Sequence, residues 1–242
     1  CIRDRDKAWK AYLPHAGKAM DVSSVLPDGG RLLPSGTDVM FDNRTHWMTD
    51  VEGGNYRVFA IDGSDAQRGD ATGENMIERY CTGNFLAGQR LIYASASGLP
   101  VGRYIFKAVA QKGADGGVIE LFANDDRSPV TSVKVLRETE VATDVLDQDL
   151  TVGVESGLNN ACQWVSFADV ALEYQSPYML LEEAVAASDT LTYGEDKGGA
   201  LKKAADEARV LLVSGEARER MAAYHTLLDA ICLLYTSPSP RD

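Results

Sequence analysis

The sequence predicts an all-β antiparallel sandwich followed by a small all-α bundle, and three features of the chain predict it. From Asp21 to about Tyr174 apolar and polar residues alternate with a period of two, the rhythm of a strand that buries one face. Clusters of Gly, Asn, Asp and Pro break that rhythm roughly every ten positions, with no helical crossover that could join parallel strands. After Ser176-Pro177 the apolar spacing lengthens to between three and four residues, which is the helical period.

The chain's 242 residues suffice for one large or two modest domains, and 45% hydrophobic with 25% charged residues is ordinary globular composition. A net charge of −12 argues against nucleic-acid partners, because phosphate-backbone affinity comes from Lys and Arg displacing counterions. Membrane insertion is not expected either, since no apolar run reaches the roughly 18 to 20 residues that span a bilayer. Residues 1–19, which begin at Cys1 and contain Pro14, are expected to be the remnant of a preceding segment, with Asp6 to Met20 as a further helix limited by that proline.

Strands are expected at Tyr56–Ile61 and then, more regularly, from Leu91 onward. Ile92, Ala94 and Ala96 alternate with Leu91, Tyr93 and Ser95, Gly98-Leu99-Pro100-Val101-Gly102 turns the chain, and Tyr104–Val109 returns, so 91–111 reads as a hairpin. Val118–Ala123, Val130–Val135, Glu138–Leu146, Leu150–Val154 and Cys162–Tyr174 follow, separated by turns such as Asn124-Asp125-Asp126 and Asp147-Gln148-Asp149. Pro27 to Asn84 is richer in Gly, Asp and Asn and reads as long loops around few strands, where binding residues concentrate.

Three amphipathic helices should then pack as a bundle over 176–231. Ser176 caps the first and Pro177 occupies its first turn. The apolar stripes are Leu180, Ala184, Ala187 and Leu191, then Leu201, Ala205, Ala208 and Leu212, then Ala217, Met221, Tyr224, Leu228 and Ile231. The last stretch, Cys232 to Asp242, reads CLLYTSPSPRD and looks like a translated sequencing-library adaptor, so 232–242 is expected to be a non-native tail. Cys81 and Cys162 are either a disulfide pair or two small buried thiols, and no cysteine spacing marks a zinc site.

Several stretches together carry a family resemblance. Glu78-Arg79-Tyr80 ahead of Asn84-Phe85, the turn 98–104, Glu120–Asn124, Leu150–Val154 and Trp164–Leu172 resemble, in the same order, the galactose-binding-domain-like jelly-roll modules of large secreted or surface proteins from gut-type bacteria. Asp21-Val22-Ser23 resembles their opening strand, so the module covers 20–174. Residues 176–231 resemble the helical FIVAR modules that serve as spacers in such proteins, on Tyr193 before Leu201, Ala204-Ala205 to Ala208, and Leu227 to Ile231. The resemblance implies a carbohydrate-binding jelly-roll, an extracellular or cell-surface location, and other domains of the same parent chain as partners.

A glycan or polysaccharide ligand needs aromatic rings for the apolar face of a pyranose and polar groups for its hydroxyls. Trp47 with His46, Asn43 and Arg44 is the first such cluster; Tyr56, and Tyr80 with Arg79, come next. Each aromatic has core or loop anchoring as its alternative, and Trp164 reads as core. A structural calcium ion, which prefers six to eight oxygens, has Asp169 or the run Asp62, Asp65 and Asp70 as candidate ligands, although Gln67 and Gly73 stand where a calcium loop requires Gly and Glu. Arg68-Gly69-Asp70 spells an adhesion tripeptide, for which coincidence is the default explanation. No spacing singles out a carboxylate pair, a nucleophile with its base or a phosphate loop, so no catalytic residue is expected. A structural stalk without a ligand is the alternative function.

Overall fold

The structure, a computed structural model, describes residues 19–30, 47–51, 55–61, 68–81, 83–113, 117–157, 162–191 and 198–236. They form two compact units: one of Asp21–Pro100 with Tyr104–Tyr174, the other of Cys1–Met20, Val101–Arg103 and Gln175–Asp242. The first holds two antiparallel sheets, and the second holds three helices among its described residues.

The strands are β1 (Met20–Asp21), β2 (Asn55–Ala60), β3 (Asn75–Tyr80), β4 (Arg90–Ala96), β5 (Gly102–Lys112), β6 (Ile119–Ala123), β7 (Asp126–Pro129), β8 (Arg137–Val145), β9 (Leu150–Ser156) and β10 (Trp164–Gln175). A larger sheet runs β2-β3-β10-β5-β8 with β1 also on β10, and a smaller one runs β4-β9-β6-β7. Inward residues of both sheets meet in one core: Val58, Ile77, Phe106 and Phe167 from the larger, and Ile92, Leu121, Val152 and Val154 from the smaller. Full burial of such side chains is worth about 1.5–3 kcal/mol each, which makes this shared layer the main stabilising element of a sandwich.

Two expectations change. The 91–111 segment is no hairpin, because β4 and β5 belong to different sheets. The turn, with Gly98 at φ +67, carries the chain across the core instead of back along its neighbour. A turn signal fixes where a chain reverses, and which strand it then pairs with is decided by sheet packing. The Val130–Val135 strand is also replaced by Asp126–Pro129, which pairs with β6 around Asn124 at φ +49. Lys134 stands at φ +59, outside the extended region, so 130–135 cannot run as one strand.

In β10 the core-facing residues are Val165 and Phe167, then Val170 and Leu172. The inward parity switches at Asp169, whose φ of +46 absorbs one residue as a bulge does. Asp169 also holds the neighbouring loop: its carboxylate accepts from Thr72 N (2.5 Å), Thr72 Oγ1 (3.1 Å) and Gly73 N (2.9 Å).

The helical unit comprises α1 (Pro177–Asp189), α2 (Gly198–Ser214) and α3 (Ala217–Thr236). Ser176 caps α1 by accepting from Met179 N at 3.3 Å, and Arg220 reaches from α3 to donate to the carbonyls of Leu211 and Leu212 at 3.0 and 3.3 Å. Those carbonyls lie in the last turn of α2, where acceptors outnumber helical donors, and Leu211 O also accepts from Gly215 N at 2.9 Å. Leu180, Leu181 and Ala184 pack with Leu201, Ala205 and Ala208 and with Met221, Tyr224 and Leu228. The third helix does not stop at Ile231; Cys232 to Thr236 continue it. The expected helix within Asp6 to Met20 lies outside the described residues save for its end, where Met20 belongs to β1.

Candidate functional site

Each sheet has an outer face, and they differ in whether their aromatic rings are open. On the smaller sheet, Tyr93 and Phe122 both sit opposite Gly153, where a Cβ would lie 2.1 Å from Ile92 O. Both rings are roofed by guanidinium groups. Arg90 lies 4.0 Å over Tyr93 and pairs with Asp50 at 2.7 Å, while Arg127 lies 5.2 Å over Phe122 and pairs with Glu155. Phe122 is only 2% exposed, so this face offers no open ring there.

The larger sheet is organised differently. Ile77 packs in the inter-sheet core and Arg79 against Phe85, so Met76, Glu78 and Tyr80 occupy the other face of β3. The register places Tyr80 opposite Trp164 on one side and Asn55 on the other, and Glu78 opposite Ser166 and Arg57. Gly113 N donates to Trp164 O at 3.1 Å, which sets Gln111 across from Ser166 in the antiparallel ladder. The outer face therefore carries an aromatic row, Tyr80 and Trp164, beside a polar row, Glu78, Ser166 and Gln111. The far end is closed by a small apolar cluster of Phe59, Met76, Val109, Ala168 and Leu136.

Tyr80 is 39% exposed and Trp164 is half-buried, so the row is a ledge open to solvent. Behind it, Ser166 Oγ donates to Glu78 Oε2 at 3.4 Å, and Gln111, 2% exposed, has no partner for its Oε1. Leaving such an acceptor dry costs roughly 1–3 kcal/mol.

No protein-family model and no curated protein matches the sequence. Among solved structures, the chain is similar to a Stig cyclase, Fisc, from Fischerella sp. TAU in complex with a pyrrolidinylidene-indole, at 18% identity and TM-score 0.48 over 65% of this chain and 98% of that one. It is similar to a putative sugar-binding protein from Bacteroides thetaiotaomicron at 13% identity and TM-score 0.41, covering 58% and 96% of the two chains. It is also similar to a xylan-binding domain from Paenibacillus barcinonensis at 11% identity and TM-score 0.39, covering 54% and 86%.

The expected site residues that the structure describes do not form one cluster. Trp47 is no platform: it is 6% exposed and belongs to the inter-sheet core, because Met48 pairs with Tyr93 and turns the preceding residue inward. Arg79 is 1% exposed, donates from Nη1 to Tyr80 O at 2.5 Å and lies 5.9 Å from the Phe85 ring, which makes it a buried brace. Tyr56 stands at the β2 position opposite Arg79. His46, Asn43 and Arg44 lie outside the described residues, as do Asp62 and Asp65. Of Trp47 and Tyr80, the expected aromatics whose side chains are described, only Tyr80 is open. Trp164, expected in the core, joins it, and the parity of Val165 and Phe167 already places Trp164 on the opposite face of β10.

Of the metal candidates, Asp169 and Asp70 lie among the described residues, and both already hold protein donors. Both Asp169 oxygens accept from the 72–73 loop, and both Asp70 oxygens are engaged, by Arg137 Nη1 at 2.7 Å and Glu138 N at 3.1 Å. The Glu138 N–H and the Arg137 guanidinium hold the Asp70 carboxyl below the usual carboxylate range. Among the described residues no three His, Cys, Asp or Glu side chains converge as a metal site would require.

Proposed function

We propose that the sandwich is a non-catalytic carbohydrate-binding module of jelly-roll type, and that the helical unit is a FIVAR-like spacer, both part of a multidomain extracellular or cell-surface protein. The observation that supports this reading is the Tyr80–Trp164 ledge with its polar neighbours on the outer face of the larger sheet. Aromatic rings attract the C–H face of a pyranose, and the partly exposed Glu78 carboxylate beside them can accept from its hydroxyls, with Ser166 and Gln111 buried behind it. A half-buried carboxylate hydrogen-bonded to a serine, with no second carboxylate in its row, matches recognition better than the paired acids of glycoside hydrolysis.

The test is a glycan panel probed with the full chain. Binding of a defined oligosaccharide that falls tenfold or more in Tyr80→Ala and in Trp164→Ala, with the melting temperature of Tyr80→Ala within a few degrees of the parent, supports the proposal. Binding unaffected by both substitutions would move the site elsewhere. Silence across a broad panel of neutral and acidic polysaccharides would leave the chain a structural stalk.

A further inference from the structure

The register that sets Tyr80 opposite Trp164 also brings two cysteines together. Cys81 follows the last residue of β3, and Cys162 precedes the start of β10. Cys81 N donates to Gln163 O at 2.9 Å, and Phe85 N donates to Cys162 O at 3.1 Å. Opposed residues of an antiparallel pair have Cα atoms about 4.5–5.5 Å apart, and one step along a strand adds about 3.3 Å at right angles. The Cα atoms of Cys81 and Cys162 are then about 6 Å apart, inside the roughly 4.4–6.8 Å that a disulfide bridges.

Within a regular ladder an offset of one residue would aim the two side chains at opposite faces. Both cysteines, however, lie just outside their strands. Cys162 is wholly buried in the inter-sheet core, and Cys81, half-buried, packs against that same core. Each carries a thiol that donates to a nearby carbonyl, Cys81 to Gly83 O at 2.6 Å and Cys162 to Trp164 O at 3.0 Å.

We propose that Cys81 and Cys162 are a disulfide-forming pair that staples the exit of β3 to the start of β10, beside the Tyr80–Trp164 ledge. The oxidant is a small or protein disulfide. The more accessible Cys81 thiolate attacks one sulfur of that disulfide, forming a mixed disulfide and releasing one thiol. The Cys162 thiolate then attacks Cys81 Sγ and expels the second thiol, so two protein thiols and one disulfide become one protein disulfide and two small thiols. The inference stands apart from the glycan-binding reading, since it concerns only the closing of the sheet at this end.

The experiment uses the full chain with Cys1→Ser and Cys232→Ser, which leaves only this pair, incubated with oxidised glutathione and mapped by peptide mass spectrometry without reduction. The expected result is a linked pair of peptides that contain Cys81 and Cys162, and a melting temperature about 5–15 °C above that of the reduced protein. Adding Cys81→Ser should abolish both the link and the response to reductant while the fold is kept, even if Cys162→Ala fails to fold. Recovery of both residues as alkylated thiols, or of a lasting glutathione adduct on Cys81 without exchange, would overturn the proposal.

Discussion

Trp47 and Tyr104 show how burial decides what a side chain does. Trp47 has the company of a sugar platform in sequence, yet it fills the core at 6% exposure. Trp47→Ala should therefore destabilise the protein by about 3–5 kcal/mol, measured by denaturant unfolding. Loss of glycan affinity at unchanged stability would contradict that placement. Tyr104 donates its O–H to Pro100 O at 2.9 Å with the Tyr174 ring 5.1 Å away. Burial, with Tyr174 adding to it, pushes its phenol from 10.0 up to about 12. Because the folded state favours the neutral phenol, this contribution is complete below pH 10 and is lost as pH rises through 12. The melting temperature should fall across that window, and Tyr104→Phe should flatten the fall.

Among the elements, β10 carries the most consequence. Its bulge at Asp169 lets Val165 and Phe167 and then Val170 and Leu172 all face the core, and it gives the Asp169 carboxylate to the 72–73 loop. Asp169→Ala loses the acceptor and places a β-carbon residue without local hydrogen bonding at positive φ, so it should cost about 2–3 kcal/mol. Asp169→Asn, which keeps an acceptor and tolerates that φ, should cost least in the same thermal series, and an equal loss in both variants would refute the bulge-and-brace account. The element was half-readable in advance. The change from odd to even apolar positions across Ala168-Asp169 is visible in the residues, whereas the partner loop, almost a hundred positions upstream, has no local signature.

At the scale of the molecule, a two-sheet sandwich and a three-helix unit stand as separately compact units. The described core of the sandwich is an apolar layer, and Asp70 and Asp169, the candidate calcium ligands among the described residues, already hold protein donors. The melting temperature should be the same in EDTA as in millimolar calcium, because only a ligand bound to the native state raises apparent stability. A clear drop with chelator would reveal a cation site and overturn that expectation.

The periods of two and of three to four, with their turn clusters, determined by themselves that strands come first and helices last, because local burial imposes those spacings on any strand or helix. Which sheet each strand joined, and hence that β4 and β5 part company, that Trp47 turns inward and that Tyr80 meets Trp164, only the tertiary structure decided. Pairing between residues distant in sequence depends on how two whole faces bury each other, and no short window of residues contains that information.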